Sequence, residues 1–245
     1  MNSTMSQINY DTHAHIDLYK DVNHNLEYIE KRKSYTIVVT NLPALYKRYI
    51  SQHKNLHYVK FSLGLHPQLA IQYKNQLPLF NELAETSRYI GEVGLDFAKG
   101  IIREQLDIFE KIVNVCENYG NKIISVHSRK SAKQVVDIIG KSNNTIILHW
   151  FSGTVGELER AIQAGYYFSV NSDMLSTKKG IDVIKRIPPN RLLYESDAPF
   201  TKLVKEKYDL LFINSIVKTT ALVLGKTEQE VRIMYADNFK KLLAN

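Results

Sequence analysis

The stretch Tyr89-Ile90-Gly91-Glu92-Val93-Gly94-Leu95-Asp96 is an apolar run that carries two glycines and two acids. Such a run is typical of a buried strand in a parallel sheet. Glu92 would then be a buried carboxylate, and a buried charge requires partner charges. The most economical partners are metal ions held by residues that end other apolar runs. These residues are His13, His15, His127, His149 and Asp197.

Seven further apolar runs resemble strands, and they alternate with amphipathic helical segments. The eight predicted strands cover residues 8–12, 35–40, 58–64, 89–94, 122–127, 145–149, 166–170 and 191–196. The main predicted helices cover residues 43–53, 78–86, 103–119, 131–141, 155–164, 180–187 and 208–224, and the capping-box spacing of Thr227 and Glu230 predicts a last helix through residue 243. Because no glycine-rich phosphate loop follows the first strand, this order predicts a closed (β/α)8 TIM barrel rather than an open doubly wound sheet.

The length and composition agree with one globular domain. The chain has 245 residues, 44% of them hydrophobic and 23% charged, which is close to the roughly 250 residues typical of such barrels. We expect a flexible lead-in over residues 1–6 and a single barrel domain over residues 7–245. The lead-in lacks the pattern of a signal peptide, and no apolar run approaches the roughly 20 residues that span a bilayer. The single cysteine, Cys116, is predicted to be a reduced core thiol, so we expect a cytoplasmic protein.

The charge balance is basic. Thirty-two Lys and Arg residues against 25 Asp and Glu residues give a formal net charge of +7. This charge favours association with polyanions such as nucleic acid. A generic solvated basic surface explains the same balance equally well until a site is identified.

The candidate site residues follow the predicted strands at their C-terminal ends, where the active sites of (β/α)8 barrels lie. They are Asp11, His13 and His15 at the first strand, Glu92 at the fourth, His127 at the fifth, His149 at the sixth and Asp197 at the eighth. His13-Ala14-His15 alone would be weak evidence, because a bare His-x-His is more often an ordinary surface or core pair. Together with the other strand-end ligands it predicts a metal site.

Two divalent ions explain this set of ligands better than one. His13, His15 and Asp197 could complete one site and His127 with His149 the other, with Glu92 bridging the two ions. Such a pair lowers the pKa of a water molecule, and Asp197 could take up and return its proton. Glu92 and Asp197 are therefore the predicted catalytic residues, and Mg, Mn and Zn all stay open as the metal.

Other residues near the predicted mouth could contact a substrate. His66 follows the third strand and Arg129 follows His127, so both could bind a phosphate. The alternatives are local hydrogen bonds for His66 and a surface ion pair for Arg129. Trp150 and Phe151 could stack against a base or pack beneath their loop. His24, His53 and His57 lie away from the strand ends and are assigned no role.

These motifs resemble the TatD family of metal-dependent deoxyribonucleases. The matching segments are residues 11–17, 64–67, 91–96, 127–129, 149–153 and 195–199, in family order from about residue 8 to residue 243. The resemblance implies a barrel of the amidohydrolase type and metal-dependent hydrolysis of DNA phosphodiesters. It also implies metal ligands at His13, His15, Glu92, His127, His149 and Asp197.

The chain departs from the family pattern at three points. The segment after Asp96 is short, Trp150 stands where the family usually has Cys, and an Asn-Glu-Pro segment is missing beyond Phe200. Residues 64–70, the short segment after Asp96 and residues 149–153 most resemble the TatD-like subgroup of the Qat anti-phage defence cassettes of bacteria. That resemblance implies other cassette proteins as partners beside DNA, and phage nucleic acid could be the substrate.

Two other functions remain open from the sequence. A metal-dependent amide or ester hydrolase could use the same barrel and ligands, because fold and metals do not fix the substrate. The chain could also be an assembly subunit of a defence complex whose metal site is incidental. Retaining an unused cluster of buried acids and histidines would, however, cost stability.

Overall fold

The computed structural model describes residues 9–98 and 100–244. The predicted lead-in over residues 1–6 and the first residue of the first predicted strand lie outside this part. Eight strands follow one another along the described chain. They are β1 (Tyr10–Ala14), β2 (Tyr35–Val39), β3 (Val59–Ser62), β4 (Tyr89–Asp96), β5 (Ile123–Arg129), β6 (Thr145–His149), β7 (Tyr167–Val170) and β8 (Leu192–Tyr194).

Helices connect these strands and follow the last of them. They are α1 (Val22–Lys31), α2 (Pro43–Gln52), α3 (Pro67–Ala70), α4 (Leu77–Ala84), α5 (Arg103–Tyr119), α6 (Ala132–Ile139), α7 (Val155–Gln163), α8 (Ser172–Leu175), α9 (Lys178–Arg186), α10 (Phe212–Leu224) and α11 (Glu228–Ala244). Sequence analysis did not predict α1, α3 or α8. For α1 a signal existed: the Asp21 carboxylate accepts a hydrogen bond from His24 N, and Leu26 and Ile29 form a buried face.

All the strand pairs are parallel, and they close into a barrel. The strands run in the order β1-β2-β3 and β4-β5-β6-β7-β8, and backbone hydrogen bonds of 2.7–2.9 Å close both seams between these runs. Those bonds are Leu63 N to Tyr89 O, Gly91 N to Leu63 O, Asp197 N to His13 O and His15 N to Ala198 O. The predicted (β/α)8 TIM barrel is therefore confirmed. Within the described residues, no helix is both long and apolar enough to cross a membrane.

The ends of four strands differ from prediction in ways that shape the site. β1 extends to Ala14, so His13 lies within the strand rather than after it. β4 and β5 each continue two residues further, because Asp96 pairs in register with Arg129. β8 ends early at Tyr194, and Asp197 has a left-handed φ of 46° that extended backbone cannot provide.

The last helix holds the ends of the barrel together. Phe239 of α11 stacks on Tyr10 of β1 with ring centroids 4.1 Å apart, and Tyr10 stacks on Tyr194 of β8 at 3.9 Å. The Asn238 amide donates to the carbonyl oxygens of Pro189 and Leu192, both at 2.7 Å. These contacts fix β1, which carries His13, beside β8, which precedes Asp197.

Gly64 marks the closest approach of the strands beneath the site. A Cβ at Gly64 would lie 1.7 Å from Thr40 O and 2.7 Å from Glu92 N, whereas no described atom lies within 4 Å of a Cβ at Gly156 in α7. We expect Gly64→Ala to lower the free energy of unfolding by about 2 kcal/mol or more, because backbone atoms must separate to admit the methyl group. Gly156→Ala should instead raise it by about 0.4–1 kcal/mol. Urea unfolding checks both, and equal stability of the two variants would contradict the steric argument.

Candidate metal centre

Glu92 lies at the middle of the candidate site and is only 1% exposed. Its Oε1 is 2.6 Å from His127 Nδ1 and 2.9 Å from His149 Nε2. Its Oε2 is 3.0 Å from His15 Nε2 and 3.5 Å from His13 Nε2. The two oxygens of one buried carboxylate therefore face two different pairs of imidazoles.

Asp197 completes a group of donors with the two histidines of β1. Its Oδ1 lies 3.7 Å from His13 Nε2 and 3.9 Å from His15 Nε2, and it has no hydrogen-bond partner in the described residues. The ligand atoms of these three residues all lie within 4.8 Å of one another. Two further groups meet the same criterion: His13, Glu92 and His149, and His66, Glu92 and His127.

The ionisation of Glu92 and His13 suits metal binding. Burial alone would raise the pKa of the Glu92 carboxyl, but the imidazoles around it, first of all those of His66 and His149, hold that pKa well below its usual range. Burial lowers the pKa of His13 to about 4, which keeps its ring in the neutral form that binds metals.

Nitrogen atoms also face one another across the cluster. His13 Nε2 lies 3.2 Å from His15 Nε2, and His127 Nδ1 lies 3.3 Å from His149 Nε2. A cation site needs several such donor atoms close together. The cluster supplies buried imidazole nitrogens, the Oδ1 of Asp197, which is unbonded in the described residues, and Glu92, whose two oxygens face different imidazoles. The cluster fits divalent metal ions.

Polar side chains lie beside the outward-facing nitrogens of three candidate imidazoles, as is usual at metal sites, and two of these nitrogens are within hydrogen-bond distance. Ser125 Oγ lies 2.7 Å from His13 Nδ1. Asp96 Oδ2 lies 3.2 Å from His127 Nε2 and accepts a hydrogen bond of 2.7 Å from Gln68 Nε2. Each of these contacts restricts the rotation of a ring.

Glu195 is the outer partner of His149, and sequence analysis did not assign it a role. Its Oε1 lies 3.6 Å from His149 Nδ1 and accepts hydrogen bonds from Asn171 Nδ2 at 3.0 Å and Trp150 N at 3.2 Å. Its Oε2 accepts a short hydrogen bond from Ser169. A signal was present, since an acid in the apolar run before Asp197 needs a buried partner.

Asp11 joins the two segments that carry His13 and Asp197. Its Oδ1 accepts hydrogen bonds from His13 N at 3.2 Å and Ser196 N at 2.9 Å, and its Oδ2 accepts one from the Tyr208 hydroxyl at 2.9 Å. Asp11 was a candidate from its position at the first strand. The structure places it behind the cluster, where it links β1 to the segment after β8.

A cavity of about 500 Å³ connects the cluster with solvent. His66 and Arg129, the predicted substrate contacts, both line it. His66 Nε2 is 3.4 Å from Glu92 Oε2, as close as the candidate ligands, while its Nδ1 accepts a hydrogen bond from Gln68 N. Arg129 is exposed, and no carboxylate of residues 9–98 and 100–244 forms an ion pair with it.

The two aromatic residues that follow His149 lie in different surroundings. Phe151 is 2% exposed and packs edge-on against Phe168 at 5.7 Å, so it belongs to the core. Trp150 is half-buried, has a left-handed φ of 38° and lines the cavity. Phe200, from the segment after β8, lines it as well and lies edge-on to His15.

Comparison with known proteins finds relatives named as putative deoxyribonucleases or metal-dependent hydrolases. The chain is 30% identical over 162 residues to the putative deoxyribonuclease TATDN1 homolog of Vairimorpha ceranae, which covers 64% of this chain and 59% of that protein. The chain thus spans about three fifths of the length of that relative. It is 25% identical to the uncharacterized metal-dependent hydrolase YabD of Bacillus subtilis, over 95% of this chain and 98% of that protein.

Solved structures show the same fold. The structure of YJJV, a TatD homolog from Escherichia coli, has a TM-score of 0.82 at 20% identity and covers 97% of this chain and 98% of its own. The TatD family hydrolase of Entamoeba histolytica has a TM-score of 0.78 at 20% identity, over 98% and 99% of the two chains. The family model for TatD related DNase matches residues 10–244. Since that match includes nearly every residue, the chain belongs to the TatD-related DNase family.

Proposed function

We propose that this protein is a metal-dependent deoxyribonuclease that hydrolyses DNA phosphodiester bonds by attack of a water molecule. The observation that carries the proposal is the placement of Glu92. Its two oxygens face separate imidazole pairs in a cavity that is also lined by Arg129, a cation without an ion-pair partner among the described residues. A buried donor set below a cationic rim is suited to an anionic substrate.

The donor atoms divide into two sets that share Glu92. One divalent ion would be held by His13, His15 and Asp197, the other by His127 and His149, with Glu92 contacting both. Bound ions would lower the pKa of a water molecule and neutralise charge on the phosphate. The identity of the metal, among Mg, Mn and Zn, is left open.

The remaining roles fall to side chains around the cluster. Asp197 Oδ1 makes no hydrogen bond in the described residues, so it is available to accept the proton of the attacking water. Arg129 and His66 line the cavity above and would bind phosphate oxygens. Glu195 and Asp11 touch no substrate and position His149 and the β1 segment.

A role in anti-phage defence is a finer proposal. It rests on the likeness of residues 64–70, the short segment after Asp96 and residues 149–153 to the TatD-like subgroup of Qat cassettes. In that setting the substrate would be phage nucleic acid, the partners would be other cassette proteins, and the protein would act in the cytoplasm. Amide or ester hydrolysis by the same cluster is the second candidate function.

The proposed function is tested by metal removal. We expect metal-stripped protein to leave DNA intact and to regain cleavage when Mg, Mn or Zn is restored, because the proposed nucleophile is a water molecule whose pKa a bound ion lowers. Single-stranded and duplex DNA, labelled at one end or the other, are incubated with each ion, beside an ester and an amide. Hydrolysis of the ester or amide with no cleavage of DNA under any ion would favour the second candidate function.

The shared role of Glu92 predicts a change in metal stoichiometry. We expect Glu92→Gln to hold fewer than two ions per chain, because a neutral amide cannot supply an anionic oxygen to each. Glu195→Gln keeps every proposed ligand and should hold two ions with about 10–100-fold weaker affinity, the usual effect of losing an outer partner. Calorimetric titration of metal-stripped protein measures both, with Glu206→Gln on the surface as the control. Two tightly bound ions in Glu92→Gln would exclude the shared role.

The role of Asp197 predicts a defect in the chemical step. Asp197→Asn keeps a ligand oxygen and cannot accept a proton, so it should bind DNA as the parent does and lose about 10²-fold or more in single-turnover cleavage. Metal content is measured on the same sample. A variant that keeps its metal ions and cleaves at the parental rate would show that Asp197 is not the base.

A further inference from the structure

A second cavity lies beside the metal cavity, between the segments that follow β6, β7 and β8. Its volume is about 280 Å³, near the lower end of small-ligand pockets. Trp150 and Ser152 line both cavities, so one short segment forms the wall between them. A molecule that reaches out of the metal cavity over this wall enters the second cavity.

The second cavity has an apolar floor. Phe151 and Met174, both nearly fully buried, contribute their side chains to it, and Val183 of α9 closes one side. Gly180 adds backbone surface without a side chain. An apolar floor suits the face of a nucleobase better than a charged group.

Two lysines stand at the edge of this floor. Lys202 is exposed, lines the cavity and has no carboxylate partner in the described chain. Lys179 Nζ donates a hydrogen bond of 2.7 Å to Ser152 O in the shared wall. Asp173 is the acid among the lining residues, and its Oδ1 is 3.3 Å from Lys202 N, from which it accepts a hydrogen bond. The two lysines and the one aspartate at this edge therefore carry a net charge of +1, which favours an anionic ligand.

We propose that this second cavity binds the nucleotide next to the scissile phosphodiester, with its base on the apolar floor and its phosphate at Lys202. The proposal rests on the proposed nuclease function and adds to it a binding site for the neighbouring nucleotide. Lysine binds phosphate as a point charge, and stacking tolerates any base, so the site should bind without sequence preference. Lys179 strengthens the same phosphate contact and fixes the shared wall.

Lys202→Ala and Lys205→Ala form a matched pair for the test. Both residues are exposed lysines of the same segment, and only Lys202 lines the cavity. We expect Lys202→Ala to weaken binding of a phosphorothioate hexathymidylate to the metal-loaded protein about tenfold, and to reduce the slope of log affinity against log salt by about one. Lys205→Ala should change affinity less than twofold.

Hydrolysis of bis(p-nitrophenyl) phosphate separates this site from the metal cavity. The small diester has no neighbouring nucleotide to occupy the second cavity, so Lys202→Ala should hydrolyse it at the parental kcat/KM. A second variant, Ser176→Phe, fills the cavity from its exposed rim and should show the same selective loss of oligonucleotide affinity. Trp150 is the only tryptophan in the chain, so its fluorescence should change when the oligonucleotide binds and change less in Ser176→Phe.

Each outcome decides between hypotheses. If Lys202→Ala and Lys205→Ala weaken oligonucleotide affinity equally, the effect is general electrostatic attraction and the proposal is overturned. The proposal is also overturned if Lys202→Ala lowers kcat/KM for the small diester as much as it lowers oligonucleotide affinity. Parental affinity in Ser176→Phe would show that no base enters the cavity. If the parent protein hydrolyses neither DNA nor the small diester, the nuclease proposal fails first. Normal DNA cleavage with unaltered affinity in the variants would refute the second site alone.

Discussion

The burial of the Glu92 carboxylate is the constraint on which the site depends. Removing an ionised carboxylate from water costs several kcal/mol even after the protein relaxes, so the charge must be compensated where it lies. Five imidazoles provide the surroundings, and they come from four different strands or strand ends. The barrel brings these ends together at one mouth, which no single helix or hairpin could do.

Barrel closure and the metal cluster are mutually dependent. The seam between β1 and the segment after β8 is formed by backbone bonds of His13 and Asp197, and these two residues are themselves candidate ligands. Asp11 reinforces that seam from behind through three hydrogen bonds. A change that opens the seam therefore separates ligands as well as strands, so stability and metal affinity should respond together at Asp11.

Much of this could be predicted from the sequence because the signals are local. Apolar runs of strand length predicted all eight strands, and the helix over residues 103–119 has the predicted bounds. The left-handed Asp197 and the one-turn helices α3 and α8 left no periodic pattern to detect. The role of Glu195 depends on Ser169 of β7 and Asn171 just after that strand, and such contacts between distant residues cannot be predicted from spacing.

The segment that follows β6 separates two cavities at the mouth of the barrel. Trp150 and Ser152 of this segment line both the metal cavity and the cavity at Lys202. Three cations line the two cavities: Arg129 is the last residue of β5, Lys179 lies after β7 and Lys202 lies after β8. Among the described residues that line the two cavities, those that follow β3 are His66 and Gln68, and neither is a lysine or an arginine. The electrostatic asymmetry therefore favours a polyanion that leaves the metal cluster over Trp150 and crosses the β6 to β8 side of the barrel.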